Sequence, residues 1–324
     1  MELEKTIVDS EKGFGIVLSG GGAMGAYEAG VVKALKEKGI NFKLAAGASV
    51  GALNAYLVAA DRTEQMVQIW ENLNSKKVFH ISLRNLMHGS LLSNAPLEKL
   101  LSEEVTEKST KRIIDGTAKL MIVSSDLRNK CKVIDESFTD YQQIIKSLIS
   151  STAIPVAFPS RELHLENLVD QIVDGGLTSN FPLEDSVKKG LCKTFFTTSL
   201  FVPEEETWYS HNIFGIGIRA IETMLTTEYL REINGVREKI KTANALKDIL
   251  GTKLILKKIS KRNKKTKNLY NDFEVYAENQ IIEINPSKKL SLGGPMDFYT
   301  DRLKKAIEMG YEDAKKVLEY VEII

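Results

Sequence analysis

Ser49 lies in Gly47-Ala48-Ser49-Val50-Gly51, a G-x-S-x-G pentapeptide between the strand-like run Phe42 to Ala46 and the apolar helix start Val50 to Ala60. In that context, small residues two places before and after the serine let the chain turn sharply and present the hydroxyl above a sheet. The N-terminus of the following helix favours negative charge developing there. Nucleophilic attack on a carbonyl is the chemistry this suits. As a bare pattern G-x-S-x-G also arises by chance, so its placement carries the weight.

One unit upstream, Gly20-Gly21-Gly22-Ala23-Met24-Gly25 follows the apolar run Gly15 to Leu18. It matches G-x-G-x-x-G, but a dinucleotide fold needs an acid about 20 positions on, at the end of the second strand. No Asp or Glu occurs between Glu37 and Asp61. The G-K-[ST] of a phosphate loop is also missing. The consecutive glycines do let backbone N–H groups converge at a helix start, which makes an anion site; a tight turn alone is the plainer alternative. If the two apolar runs are neighbouring parallel strands, about 4.8 Å apart, these N–H groups reach the oxyanion formed when Ser49 attacks.

A serine needs a partner to take its proton. The histidines are His80, His88, His164 and His211. The chain order Ser49, Asp174, His211 is formally that of an α/β-hydrolase, but His211 sits in Thr-Trp-Tyr-Ser-His-Asn without a strand-end signal. Asp174 is the stronger candidate, because it ends the apolar run from Leu168 and is followed by Gly175 and Gly176. A turn aspartate is the alternative, Asp-Gly being a common turn dipeptide. Asp170, four residues earlier, is a decoy.

These residues need elements to hold them. Gly15 to Leu18 and Phe42 to Ala46 each lead through a turn into a helical pattern, the first with Val31, Val32 and Leu35 and with Gly39 as its stop. Two such units in succession imply a parallel sheet with right-handed crossovers. Further strands are expected at Leu120 to Ser124, Lys132 to Ile134, Leu168 to Val173, Thr194 to Phe201, Leu254 to Leu256 and Ile281 to Ile284. Helices are expected at Gln142 to Ser151 and at Asp301 to Tyr320, the latter with Leu303, Ile307, Ala314, Val317 and Val321 toward the core. A long amphipathic helix, Ile218 to Leu250, carries Ile221, Leu225, Tyr229, Ile233, Val236 and Ile240 on one face, with Gly251 as its cap. No internal repeat or Pro/Ser-rich linker divides the chain, so one domain over residues 1–324 with helical insertions is expected.

The glycine loop Ser19 to Gly25, the elbow Gly47 to Gly51 and Asp174-Gly175-Gly176, in that order, resemble the three motifs of the bacterial patatin-like phospholipases. Ser151-Thr-Ala-Ile-Pro-Val-Ala-Phe-Pro159 is similar to the segment preceding the family's aspartate, and Asn180 and Pro182 also fit. Met296-Asp-Phe298 and Gly310-Tyr-Glu-Asp-Ala314 look like the tail of bacterial members. The likeness is strong over residues 14–190 and looser over the extension 191–324. It implies a three-layer α/β/α fold with a largely parallel central sheet. It also implies a lipid acyl hydrolase with a Ser49–Asp174 dyad, oxyanion donors from Gly20, Gly21 and Gly22, and motif support from Gly25, Gly47, Gly51, Gly175 and Gly176. No metal or other cofactor is implied. Many members carry Arg or Lys where this chain has Met24. A cation there would strengthen the field at the oxyanion or bind a substrate phosphate, so its absence leaves neutral acyl esters open beside phospholipids. A silent lipid-binding regulator, a transacylase or a thioesterase would keep the same residues.

Composition sets the outer limits. The 324 residues are 43% hydrophobic and 27% charged, close to globular averages, which excludes disordered, collagen-like and coiled-coil classes. A net charge of +1 argues against general nucleic-acid binding. Cys131 and Cys192 have no metal-site spacing and suggest a reducing compartment. No stretch approaches the roughly 18 apolar residues of a membrane span, and no secretory signal is visible, so a cytoplasmic protein, at most peripheral to a membrane, is expected. The near-neutral total conceals eight basic residues from Lys253 to Lys267, with no acid between Asp248 and Asp272. Charge runs are usually solvated; the sharper expectation is contact with anionic lipid surfaces. Met87, Leu91, Leu92 and Phe158 are candidates for an acyl channel.

Overall fold

The computed structural model describes residues 5–81, 90–165, 168–200, 213–250 and 274–324. A short strand, β1 (Thr6–Val8), precedes the fully buried β2 (Phe14–Leu18). The chain then runs through α1 (Gly25–Glu37), β3 (Phe42–Ala48), α2 (Val50–Ala59) and α3 (Thr63–Glu71). A one-turn helix, α4 (Ser75–Val78), and the paired two-residue strands β4 (His80–Ile81) and β5 (Leu92–Ser93) lead to α5 (Ala95–Glu104) and α6 (Glu107–Ile114). Next come β6 (Lys119–Asp126), β7 (Cys131–Asp135), α7 (Tyr141–Ser151), β8 (Arg161–Leu165) and β9 (Leu168–Asp174). The last elements are α8 (Leu183–Lys188), β10 (Thr194–Thr197), α9 (Ile213–Leu250), β11 (Gln280–Glu283), α10 (Thr300–Leu318) and β12 (Val321–Ile323).

The central sheet runs in the order β11-β10-β2-β3-β6-β9-β8, with β7 also paired to β6. The five strands from β11 to β6 are mutually parallel, whereas β7 and β9 run antiparallel to β6 and β8 antiparallel to β9. Two cores follow from the two-residue period of the strands. Ile16, Leu18, Ala45, Leu120 and Ile122 pack with α1, α2, α3, α5, α7 and α10. The intervening Val17, Leu44, Ala46 and Met121 pack with α8 and α9. Helices therefore cover both faces, the arrangement that parallel strands, apolar on both sides, require.

The expected elements fall within a few residues of the observed ones, with informative exceptions. The strand from Thr194 ends at Thr197 rather than Phe201, because Thr198 and Ser199 leave the sheet to bond Glu28 and Asn285. The long helix begins at Ile213, and Ile221 is exposed while Leu225, Tyr229, Ile233 and Val236 are buried. The expected strand Leu254 to Leu256 and the cap Gly251 lie outside the described residues. Val321 belongs to β12, which pairs with β1.

Helices α1 and α10 approach backbone to backbone. A Cβ on Gly30 would lie 1.9 Å from the Ile307 carbonyl oxygen, and one on Gly310 would lie 2.0 Å from that of Tyr27. Gly30→Ala is therefore expected to cost at least about 1–3 kcal/mol, the usual penalty of overpacking. Urea unfolding reads this, and a wild-type midpoint would contradict the close packing.

Candidate active site

Strand register brings the site together. Ala48, the last residue of β3, pairs with Val123 of β6. The next residue of β6, Ser124, pairs with Asp174 of β9. Strand β9 thus takes up the edge of β6 that β3 leaves as it turns at Ser49. The serine turn and the aspartate meet across one step of β6, about 3.3 Å. On the other side Leu18 pairs with Gly47, so the chain leaving β2 runs beside the same turn.

That convergence demands small residues. A Cβ on Gly47 would lie 2.4 Å from the Gly51 carbonyl, and one on Gly51 would lie 2.4 Å from the Leu18 oxygen. One on Gly20 would lie 2.2 Å from Asn180 Oδ1 and 3.0 Å from the Ser49 Cβ; one on Gly175 would lie 2.2 Å from the Val123 oxygen. Gly25 fits against Val50 and Trp70, and Gly176 against Asp174 and Asn180.

Ser49 itself adopts φ 52, ψ −128, a region glycine enters freely and other residues at a cost of about 1–3 kcal/mol. The neighbourhood holds it there. The Ser49 N–H donates to Ser151 Oγ at 2.9 Å, and Ser151 donates onward to the Val123 carbonyl at 2.5 Å. The Asp174 N–H donates to the Ala153 carbonyl at 2.9 Å. The C-terminal end of α7 and the residues just after it therefore pin both the serine and the aspartate, a role that no residue type there signalled.

The Asp174 carboxyl is buried. Its Oδ1 accepts from the Gly176 N–H at 2.8 Å, while Oδ2 has no hydrogen-bond partner among the described residues. Burial pushes its pKa up to about 6; the Ser49 hydroxyl and the Gly176 N–H favour the ionised form and oppose that rise. The serine is close enough to act on the carboxyl without an aligned hydrogen bond joining them, and catalytic contacts often tighten only when substrate binds.

The glycines of the loop are not equivalent. The Gly20 N–H faces the Asn180 carbonyl at 3.4 Å, and Asn180 Nδ2 donates to the Gly20 carbonyl at 3.0 Å. The N–H groups of Gly21 and Gly22 have no partner among the described residues. Met24 is buried in the apolar core, which explains an uncharged side chain at that position.

An apolar cavity of about 100 Å³ opens beside Ser49 and Gly22. It follows α2 past Val50, Leu53 and Leu57 toward Tyr56, Leu101 and Glu104. Tyr56 is seven residues from Ser49, or about 10 Å along the helix. The far end is polar, since Arg62 Nη2 bonds Glu104 Oε2 at 2.7 Å and the Tyr56 hydroxyl donates to the Glu104 carbonyl at 3.2 Å. Phe158 lines this cavity, whereas Leu91 is half-exposed and Leu92 does not contribute to the wall. Met87, His88, His211 and the basic segment Lys253 to Lys267 lie outside the described residues. Asp170 pairs with Leu163 at the far strand edge, and His80 is exposed on β4. Among the described residues no three His, Cys, Asp or Glu side chains cluster as metal ligands, and no helix is long and apolar enough to cross a membrane.

Residues 16–187 of the 324 match the family described as Patatin-like phospholipase. No curated protein matches the chain. Among solved structures, the crystal structure of VipD from Legionella pneumophila is similar over 95% of this chain and 67% of that one, at 17% sequence identity and a TM-score of 0.42.

Proposed function

The chain belongs to the patatin-like phospholipase family, and from that premise we propose that it hydrolyses lipid acyl esters through a Ser49–Asp174 dyad. The observation that carries this reading is the register of β3 and β9 on β6, which sets the strained serine turn beside a carboxylate oxygen that has no hydrogen-bond partner among the described residues. Ser49 Oγ attacks the ester carbonyl carbon as its proton passes to Asp174. The tetrahedral oxyanion is met by the free N–H groups of Gly21 and Gly22, while Gly20, occupied by Asn180, holds the loop against the serine. Collapse breaks the ester bond, and the leaving alcohol takes the proton from Asp174. Asp174 then accepts a proton from the water that attacks the acyl–Ser49 ester, and as the fatty acid departs it returns that proton to Ser49 Oγ.

The acyl chain occupies the cavity along α2, which is lined chiefly by apolar side chains. With a buried Met24 in place of a cation, recognition rests on the acyl chain, and both neutral esters and phospholipids are substrates. Fatty-acid release from a panel of phospholipids, acylglycerols and acyl thioesters tests this, with Ser49→Ala as the blank. Release above the blank is expected; a wild-type signal equal to the blank for every lipid would end the reading.

The far end of the cavity, beside Tyr56, Leu101 and Glu104, predicts a length limit. Leu101→Trp should fill that end and lower kcat/KM for long acyl chains at least about tenfold, while leaving a butyryl ester within about twofold. Equal losses on short and long esters would contradict this acyl path.

A further inference from the structure

Glu28, on α1, is fully buried and takes no part in the steps above. Among the described residues no basic side chain bonds it. Its Oε1 accepts from the Ser19 N–H at 2.8 Å and from the Thr198 hydroxyl at 2.9 Å, and its Oε2 accepts from Asn54 Nδ2 at 2.8 Å. A buried charge of this kind is tolerated only where hydrogen bonds replace water; burial outweighs the opposing pull of those three bonds, and its carboxyl is pushed up to about 7.

The three donors come from three different places. Ser19 is the residue from which the glycine loop starts. Thr198 follows β10, and its carbonyl also accepts from the Ser19 hydroxyl at 2.9 Å. Asn54 lies one turn into α2, the helix that Ser49 initiates. We propose that Glu28 is the positioning residue of the glycine loop, clamping Ser19 to α2 so that the Gly21 and Gly22 N–H groups stay aimed at the substrate oxygen above Ser49. This inference rests on the acyl-transfer reading for its catalytic consequence, but the clamp itself does not.

The network has a fixed polarity. Asn54 Oδ1 accepts from Trp70 Nε1 at 2.9 Å, and Asn54 Nδ2 also donates to the Gly25 carbonyl at 3.0 Å. Turning the Asn54 amide over would set its NH₂ against the indole N–H and its oxygen against the Gly25 carbonyl. Asn54 must therefore donate to residue 28, and a glutamine there would meet it donor to donor. Glu28→Gln keeps the shape and breaks one link of the clamp. Adding Asn54→Asp supplies an acceptor for the glutamine amide and retains one for Trp70, while its acid proton replaces the donation to the Gly25 carbonyl.

The test measures kcat and KM on a short-chain ester, together with amide hydrogen exchange of the 16–26 peptide, in wild type, E28Q, N54D and E28Q/N54D. In E28Q, kcat is expected to fall about 10²-fold, the cost of a displacement near 1 Å, with KM within about twofold and exchange in the peptide accelerated. In the double variant kcat recovers toward wild type, beyond the product of the single effects. Wild-type kcat and exchange in E28Q would overturn the clamp, as would a double variant no faster than E28Q. A wild-type protein that exchanges as expected but turns over no ester would overturn the hydrolase reading instead, leaving the clamp to stand on exchange. Should E28Q fail to fold, T198V, which removes only the hydroxyl donor to Oε1, is read by the same two measurements.

Discussion

Ser49→Ala is expected to lower kcat for ester hydrolysis at least about 10³-fold while the protein stays folded. The hydroxyl makes no hydrogen bond that the fold depends on, because the bonds that fix the turn are made by the Ser49 backbone, to Ser151, Ala52 and Leu53. The same position stores strain. At φ 52, ψ −128 a side chain costs about 1–3 kcal/mol, and alanine keeps that cost. Ser49→Gly removes it and loses about 0.5–1 kcal/mol to the greater freedom of the unfolded chain. The glycine variant should be as inactive as the alanine variant yet melt about 2 °C higher. Differential scanning calorimetry of the two variants decides; a glycine variant that melts below the alanine variant would show that the turn is not strained.

Asp174→Asn should be comparably inactive, and it has an opposite effect on stability. In wild type kcat/KM is expected to rise with pH through about 6, as the buried Asp174 loses its proton and becomes able to accept one. At pH 5 it should be about tenfold below its plateau. For stability the sign follows from a folded-state pKa of about 6 above the ordinary carboxylate value of 3.8. The contribution of Asp174 is fully present below about pH 4 and is lost as pH rises through 6, since the folded state must then hold a desolvated carboxylate. At pH 7.5, Asp174→Asn is expected to be more stable than wild type by about 1–3 kcal/mol. The difference should shrink between pH 6 and pH 4. Glu28 and Glu228, both pushed up to about 7 by burial, impose the same trend on both proteins and cancel in the comparison. Denaturant titrations at pH 7.5 and pH 4.5 measure the difference. A wild type more stable than Asp174→Asn at the higher pH would contradict the buried carboxylate.

Much of this candidate site was legible because its turns are local in sequence. Ser49 sits in a turn whose small residues are forced by the contacts between Gly47, Gly51 and Leu18, and the glycine run answers the same crowding at Gly20. Asp174 was legible as an acid closing an apolar strand before two glycines. The direction of β9 was not, because nothing within Leu168–Asp174 encodes pairing antiparallel to β6; that pairing depends on where β3 ends. The different surroundings of Gly20, Gly21 and Gly22 were hidden too, since the Gly20 N–H faces the Asn180 carbonyl, 160 residues away. Glu28 and Asn54 belong to none of the motifs, and each is a single polar residue within a helical stretch. Only the structure shows them bonded to each other inside the core. Strand β8 escaped notice because Arg161, Glu162 and His164 interrupt its apolar pattern, and β1 and β12 are three residues each. Met24 was legible as a departure from the usual cation, but its burial in the core was not.

The most direct test of the account is intact and peptide mass spectrometry after reaction with an alkyl fluorophosphonate, in which the attacking serine displaces fluoride from phosphorus. A single adduct on the peptide containing Ser49 is expected, absent from Ser49→Ala and strongly slowed in Asp174→Asn. Equal labelling of Ser49→Ala, or an adduct confined to another residue, would contradict the assignment of Ser49 as the nucleophile.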